Sequence, residues 1–333
     1  MAKERIHWID VAKGILILFL IVHHFGSAFK LTDIPQDDYR FLMSWQFVFT
    51  SFFMQAFFFM SGYCSSFNKE VKLFFWSLFK QLILPFIFFE ILTCIYWSSD
   101  QGISLNNLYH YWVNSNGTHY WFLNALIVSK LYIYIIVNSN YLSNIVILLL
   151  SSFLFLVISI ILNDLDFGTN FFCIRQSLGS VFFVVLGFVA KNMNEVFEKT
   201  LKWGGVFPCL LVVLIIQHSR PSVFTAVIGV SLQTFIVFLL TSISGVLCFL
   251  WLCRHIGIYA FIEYFGRNSL IVYCVHFIPL TVILSSMYKY LEQVSLMQRI
   301  IFVLLAYFAE LIICSVLIEV FNKRPFKWIV GKY

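Results

Sequence analysis

The sequence predicts an all-α fold, a polytopic integral-membrane helical bundle of about ten transmembrane helices. Two observations lead to this prediction. Of the 333 residues, 61% are hydrophobic and only 11% are charged, whereas soluble domains carry roughly 25% charged residues. The apolar residues also run in stretches close to the roughly 20 residues that cross a bilayer as a helix. A soluble enzyme, a disordered chain and a protein with a nucleic-acid partner are therefore excluded.

The apolar stretches follow one another along the whole chain, with short loops between them. None alternates apolar and polar residues as a barrel strand does, and open sheets do not cross lipid, so each stretch is interpreted as a helix. We expect these helices to form one integrated domain over residues 1–333. The predicted spans are 14–29, 45–63, 81–98, 120–137, 143–162, 176–190, 203–217, 223–252, 268–287 and 300–321.

The basic residues predict how the bundle is oriented. With the amino terminus inside, fifteen of the 22 Lys and Arg residues fall in cytoplasmic segments, six fall outside and Lys130 lies within a span. Cytoplasmic loops of membrane proteins carry the excess of Lys and Arg. We therefore expect both termini in the cytoplasm.

The cysteines give no sign of a disulfide framework or a metal centre. The eight Cys residues lie mostly inside the apolar stretches, and no CxxC pair occurs. Disulfide frameworks and zinc sites have regular Cys spacings, which this chain lacks. The cysteines are therefore interpreted as small hydrophobic fillers, and no bound metal is expected.

Ionisable residues at membrane depth are the candidate functional residues, because such groups are costly there and usually face a cavity or a partner. They are His23 and His24 in the first span, Glu90 in the third, Lys130 in the fourth, and His276 and Glu310 in the last two. For the carboxylates and Lys130, interhelical hydrogen bonds or ion pairs are the simpler explanation. His276 lies at a depth comparable to His24, so the two residues could face one cavity; a hydrogen bond from His276 to Glu310 is the equally good alternative.

Lys13 and His24 form the most informative pair. Eleven residues at 100° each come to about 20° beyond three full turns, so the two side chains share one helix face about 16 Å apart. A cation at the cytoplasmic surface and an imidazole deep on the same stripe suit a ligand with an anionic head and a reactive end, as in coenzyme A thioesters. A neutral buried histidine can act as general base toward a hydroxyl. The alternative is a core histidine with a structural role.

Around this pair the sequence resembles the membrane acyltransferase-3 family of bacterial sugar O-acyltransferases. That family begins with a D-x-x-+-G-I segment, and a His follows the basic residue of this segment after ten intervening residues. Here the segment runs from Asp10 to Ile15, the basic residue is Lys13 and the histidine is His24. Further similar motifs follow in the same order, from residue 5 to about 320. They are Phe57-Phe58-Phe59-Met60-Ser61-Gly62-Tyr63, Lys80 shortly before Pro85, Trp121-Phe122-Leu123, and Gly266-Arg267-Asn268-Ser269-Leu270 with Tyr273 and His276.

The resemblance implies transfer of an acyl group, usually acetyl, from cytoplasmic acyl-CoA to a hydroxyl of a cell-surface polysaccharide or lipid-linked glycan. The site would lie in the bacterial inner membrane. Carried over by position, Lys13 and His24 are the catalytic pair, with His24 as general base or as the residue that first accepts the acyl group. Lys13 and Lys80 stand where the family more often has Arg, and Lys lacks the bidentate contact that Arg makes with phosphate.

Three basic residues are assigned to the donor, acyl-CoA. Lys13, Lys80 and Arg267 are expected to hold its phosphates. Arg267 lies at the cytoplasmic start of the ninth predicted span, where a helix amino terminus favours anions. An ordinary cytoplasmic anchor explains Arg267 equally well.

The residues assigned to the acceptor are His276, Trp121 and Glu310. Trp121 belongs to an aromatic and polar cluster that also includes residues 110–112 and 119–120. A sugar ring could stack on such a platform, although interfacial aromatic residues are usually membrane anchors.

Two other classes of function stay open from the sequence. A polysaccharide or small-molecule exporter would share the spans and the buried charges, but it has no obvious need for the stripe of Lys13 and His24. A structural subunit of a surface-polymer assembly would leave the glycan absent, not merely unmodified, when the protein is lost.

Overall fold

The computed structural model describes residues 6–29, 47–98, 120–139, 144–165, 171–202, 206, 208–212, 232, 234–257, 259–291 and 294–332. All regular structure among these residues is helical, which confirms the predicted fold class. In chain order the helices are α1 (His7–Phe29), α2 (Phe47–Thr50), α3 (Phe53–Cys64), α4 (Val71–Leu78), α5 (Leu84–Ser98), α6 (Trp121–Val137), α7 (Ile145–Asp164), α8 (Ile174–Asn192), α9 (Asn194–Lys202), α10 (Phe235–His255), α11 (Ala260–Arg267), α12 (Ser269–Val275), α13 (Phe277–Leu291) and α14 (Leu296–Phe321).

Six spans in the described part of the chain are long and apolar enough to cross a membrane. They are α1, α7, α8, α10, α14 and the continuous helix Val71–Tyr96, in which a π-helical turn at Phe79–Ile83 joins α4 to α5. A seventh is obtained if α12 and α13, bent by 45°, count as one span. The chain is therefore a multi-pass membrane protein.

Ten spans are not confirmed. The predicted span 45–63 is divided between α2 and α3, and 120–137 forms the shorter apolar helix α6. Most of 203–217 lies outside the described residues. The cytoplasmic location of both termini stays a prediction.

The described helices belong to two compact units. The first combines the two ends of the chain, Met1–Thr50 and Gly257–Tyr333, and the second is Ser51–Ile256. The expected single domain over 1–333 stays a prediction. Residues distant in sequence, from α1 and from α11 onward, therefore come together in the first unit.

In the first unit α1 packs closely on α11 through two glycines. A Cβ atom on Gly14 would lie 2.0 Å from the carbonyl oxygen of Ile262, and one on Gly266 would lie 1.8 Å from that of Asp10. Each glycine thus faces the backbone of the opposite helix. Small residues allow this close approach between membrane helices.

In the second unit α3 and α8 meet in the same way. A Cβ atom on Gly62 would lie 1.9 Å from the carbonyl oxygen of Val184, and one on Gly187 would lie 1.9 Å from that of Phe59. Gly62, in the motif from Phe57 to Tyr63, is thus a helix-packing residue.

Replacing Gly62 by Ala tests this contact. The added Cβ has no room beside Val184, so the helices must separate, and we expect a loss of about 1–3 kcal/mol of stability. Thermal unfolding of the detergent-solubilised protein measures it. Gly257→Ala is the matched control, since a Cβ there has no atom within 4 Å. Equal midpoints for the two variants would contradict the close packing.

Candidate active site

Two histidines lie side by side in the first unit. The rings of His24, on α1, and His276, between α12 and α13, have centroids 5.2 Å apart. His276 is buried, with 3% of its surface exposed, and His24 is half-buried. Phe277 meets the His24 ring edge-on, with centroids 6.1 Å apart. The structure thus brings together the two histidines that the sequence placed at comparable depth.

The hydrogen bonds of His276 indicate which ring nitrogen carries the proton. Its Nδ1 lies 3.1 Å from the carbonyl oxygen of Val272 and 2.8 Å from that of Tyr273. A carbonyl oxygen only accepts, so Nδ1 is the protonated nitrogen of the neutral ring. Nε2 then carries a lone pair, and it has no hydrogen-bond partner among the residues that the structure describes.

Glu310 lies fully buried on α14. Its Oε1 accepts a hydrogen bond from the Sγ of Cys314, 3.2 Å away on the next turn, and its Oε2 has no partner within the described ranges. The predicted hydrogen bond between His276 and Glu310 is therefore wrong. The Nδ1 of His276 donates to its own helix, and neither its Nε2 nor the Oε2 of Glu310 has a partner among the described residues. Tyr307, one turn before Glu310, contacts Phe25 with ring centroids 6.0 Å apart, so α14 packs beside the histidine end of α1.

Lys13 shares α1 with His24. The helix is continuous over His7–Phe29, so the two residues stand on one face of it, about 16 Å apart along its axis. Lys13 is half-buried. Within the described residues it has no hydrogen-bond or ion-pair partner, so its ammonium group is available to a ligand.

Arg267 ends α11 in a cluster of charged groups. It donates a hydrogen bond to Glu263 one turn earlier, and its Nε lies 3.6 Å from the Oδ2 of Asp10 on α1. The Nδ1 of His7 lies 2.8 Å from the Oε1 of Glu263. Two carboxylates thus contact the guanidinium that was assigned to CoA phosphates, although 42% of that side chain is exposed. The geometry gives Arg267 a structural role as a link between α1 and α11.

The same cluster affects the protonation of Glu263. Hydrogen bonds from His7 and from Arg267 lower the pKa of this carboxyl below its ordinary value, against the opposing effect of desolvation. Glu263 therefore stays ionised at neutral pH, and it contacts both His7 on α1 and Arg267 on α11.

Lys80 and Trp121 belong to the second unit. The Nζ of Lys80 lies 4.5 Å from the centre of the Trp76 ring, a cation–π contact. Trp121 begins α6 and packs on Phe58, with ring centroids 6.0 Å apart. It is half-buried, which agrees with a packing role as well as with a sugar platform. The expected partners of Trp121 at 110–112 and 119 lie outside the described residues.

Glu90 is fully buried on α5. Neither of its carboxylate oxygens has a hydrogen-bond partner in the described part of the chain, so the interhelical bond expected for it is not found there. One turn on, Thr93 instead shares a 3.0 Å hydrogen bond with the hydroxyl of Tyr120, which joins α5 to the start of α6.

Two polar contacts of the first unit were missed by the sequence reasoning. Glu263 and Arg267 are four residues apart on one helix, a spacing that indicates an ion pair. Directly after α11, the Nζ of Lys332 donates to the side-chain oxygens of Asn268 and Asn322, each 2.6 Å away. No local pattern connects these three residues, so only the tertiary structure reveals the contact.

The fold and the site together define a multi-pass helical membrane protein. In it a histidine on α1 lies beside a histidine at the bend between α12 and α13, and a basic residue lies nearer the amino-terminal end of α1. A family sequence model described as an acyltransferase domain matches residues 6–319. Because this match covers nearly the whole chain, the chain belongs to the acyltransferase-3 family and is a membrane acyltransferase. Comparisons with curated proteins and with solved structures gave no significant match.

Acidification tests the role of Glu263. Because its pKa is lowered in the folded protein, its contribution to stability is present above the ordinary value of 4.5 and is lost as the pH falls through the lowered value. We expect wild type to unfold at a higher temperature than Glu263→Gln at about pH 6, and the two to converge at about pH 3. Thermal unfolding in detergent measures this difference.

Glu195→Gln is the matched control, because Glu195 is an exposed carboxylate at the start of α9. The difference in unfolding temperature between wild type and Glu195→Gln should change little between about pH 6 and about pH 3. A constant difference between wild type and Glu263→Gln from pH 6 to pH 3 would rule out the stabilising role given to this carboxylate.

Proposed function

We propose that the protein is an O-acyltransferase of the bacterial inner membrane. It transfers an acyl group, most simply acetyl, from cytoplasmic acyl-CoA to a hydroxyl of a cell-surface polysaccharide or lipid-linked glycan. Membership of the acyltransferase-3 family supports the reaction class. The donor, the acceptor and the residue roles are inferred from the site.

The observation that carries the proposal is the pair of His24 and His276. A buried neutral imidazole, 5.2 Å from a second one between ring centroids, is a costly arrangement in a membrane bundle. A purely structural histidine would have its nitrogens satisfied, whereas the Nε2 of His276 has no partner among the described residues. The pair therefore suits a reacting hydroxyl at membrane depth.

In the proposed reaction His24 acts as general base. It takes the proton of the acceptor hydroxyl while the hydroxyl oxygen attacks the thioester carbonyl carbon. The carbon–oxygen bond forms, the carbon–sulfur bond breaks, and coenzyme A leaves as a thiolate that receives the proton from His24. In the covalent variant a His24 ring nitrogen attacks the thioester carbon, the carbon–sulfur bond breaks, and coenzyme A leaves as a thiolate. The acceptor oxygen then attacks the acyl carbon, the carbon–nitrogen bond to His24 breaks, and the hydroxyl proton passes to the released ring nitrogen. Trapping of an acyl-histidine distinguishes the two routes.

The donor would lie along α1. Its phosphates would contact Lys13, whose ammonium lacks a partner in the described residues, and its thioester would reach about 16 Å further to His24. Lys80 and Arg267 are the further candidates for the phosphates. Arg267 would have to share its guanidinium between a phosphate and the carboxylates of Asp10 and Glu263, so Lys13 is the strongest of the three.

The acceptor would enter from the opposite side of the membrane. Its reacting hydroxyl would meet His24. His276, between α12 and α13, and Glu310, on α14, would contact its polar groups. Trp121 is the candidate for stacking on a sugar ring. The free Oε2 of Glu310, which has no partner in the described chain, is an acceptor for a further hydroxyl.

Removal of the proposed base tests the reaction. General-base catalysis contributes roughly 100- to 10,000-fold to a rate, so His24→Ala should lower acyl transfer at least about 100-fold. Mass analysis of the surface glycan from cells that carry each variant measures it. His255→Ala is the matched control, because His255 stacks on Trp251 at the end of α10 and has no place in the proposed reaction. Unchanged acylation by a folded His24→Ala protein would show the mechanism to be wrong. Loss of the glycan itself would favour a structural subunit of a surface-polymer assembly.

Lys13→Ala tests the binding of the donor. Loss of a charge-assisted contact with a phosphate corresponds to roughly a 10- to 100-fold rise in the KM for acetyl-CoA, with a much smaller change in kcat. Initial rates with purified protein in lipid vesicles measure both constants. Lys13→Arg, which keeps the charge, should recover most of the affinity. A fall in kcat with an unchanged KM would contradict donor binding by Lys13.

A further inference from the structure

We propose that the Nε2 of His276 is a fixed binding position for a second hydroxyl of the acceptor, next to the hydroxyl that is acylated at His24. The acceptor would then be a vicinal diol, as found on the ring of a sugar. This inference rests on the proposed function and assigns a substrate class to the same site.

The backbone of α12 determines which nitrogen of the His276 ring carries the proton. The Nδ1 of His276 is committed to the carbonyl oxygens of Val272 and Tyr273, so it must carry the proton. Both carbonyls belong to α12, the helix that ends immediately before His276, so the backbone itself holds the ring. Nε2 can then only accept a hydrogen bond.

The Nε2 of His276 lacks a hydrogen-bond donor among the described residues. Buried polar atoms in folded proteins are nearly always hydrogen-bonded, and an exception calls for a ligand or a water. His276 is 3% exposed, and in the described residues no donor reaches Nε2. A hydroxyl group supplies the donor that this nitrogen lacks, whereas a carboxylate or phosphate oxygen has no hydrogen to donate.

The short distance between the rings of His276 and His24 limits which group can supply that hydrogen bond. A hydroxyl has one hydrogen, so it cannot donate to both imidazoles at once. If His24 takes the hydrogen of the reacting hydroxyl, the donor at His276 must be another group. Because the two rings are only 5.2 Å apart between centroids, this second donor must lie very close to the first, and a hydroxyl on the neighbouring carbon atom satisfies that condition.

The bend of the chain at His276 supports a dedicated position. The helices α12 and α13 meet there at 45°, and Phe277, the first residue after the bend, contacts the His24 ring edge-on. The ring thus lies between the carbonyl oxygens of α12 and the ring of His24.

Two substitutions of His276 separate the two ends of its ring. The Gln side chain places an amide near the position of Nε2, and the Asn side chain places one near the position of Nδ1. If Nε2 binds the acceptor, His276→Gln should keep most of the rate of acetyl transfer to the native glycan. His276→Asn should lower that rate about tenfold or more. If His276 only caps α12, the order of the two variants is reversed. Size-exclusion profiles allow the rates to be normalised to folded protein.

A pair of small alcohols tests the diol directly. Ethylene glycol and 2-methoxyethanol offer the same reacting hydroxyl, but only the glycol has a second donor. With acetyl-CoA as the acyl donor, the kcat/KM of wild type for ethylene glycol should be about tenfold higher than its kcat/KM for 2-methoxyethanol. His276→Asn should lose this preference, since it removes the acceptor of the second hydrogen bond. If neither alcohol reacts, the order of Gln and Asn on the native glycan decides alone.

The outcomes separate this inference from the function on which it rests. Wild type without any acetyl transfer would remove the proposed function and this inference with it. Wild type that transfers acetyl, with Asn as active as Gln and no preference for the glycol, would overturn the diol position and leave the acyltransferase intact. We expect that His276→Gln is active, that His276→Asn is impaired, and that the preference for ethylene glycol depends on His276.

Discussion

The close contact between α1 and α11 is the constraint on which the candidate site depends. Gly14 and Gly266 bring the two backbones so near that a Cβ on either residue would lie within 2.0 Å of a carbonyl oxygen. At this separation Arg267 reaches across to Asp10. Because one residue separates α11 from α12, the register of α11 against α1 also sets where His276 stands relative to His24.

Polar groups at membrane depth are tolerated in this unit where the chain satisfies part of their hydrogen bonding. His276 uses the carbonyls of its own helix, and Glu310 accepts from Cys314 on its own helix. Each keeps one polar atom without a partner among the described residues. Polar groups whose hydrogen bonds are all formed within the protein would serve packing alone. The Nε2 of His276 and the Oε2 of Glu310 therefore indicate a ligand-binding position in the first unit.

The sequence predicts the helical membrane fold, because a shortage of charge and long apolar runs leave no other fold. It also predicts the stripe of Lys13 and His24, since helix geometry is local. The contacts of His276 are different: a hydrogen bond to its own backbone and one to Glu310 satisfy the ring equally, and periodicity does not decide between them. Likewise, the role of Arg267 depends on Asp10, more than 250 residues away in the chain, which no local spacing reveals.

The most direct measurement of the account is a cryo-electron microscopy structure of the protein in lipid with a thioether analogue of acetyl-CoA, in which a stable carbon–sulfur bond replaces the thioester. We expect the acetyl end of the analogue beside His24 and His276, its pantetheine arm along α1 and its phosphates near Lys13. An analogue bound with its acetyl end away from both histidines would contradict the central claim that this pair is the site of acyl transfer.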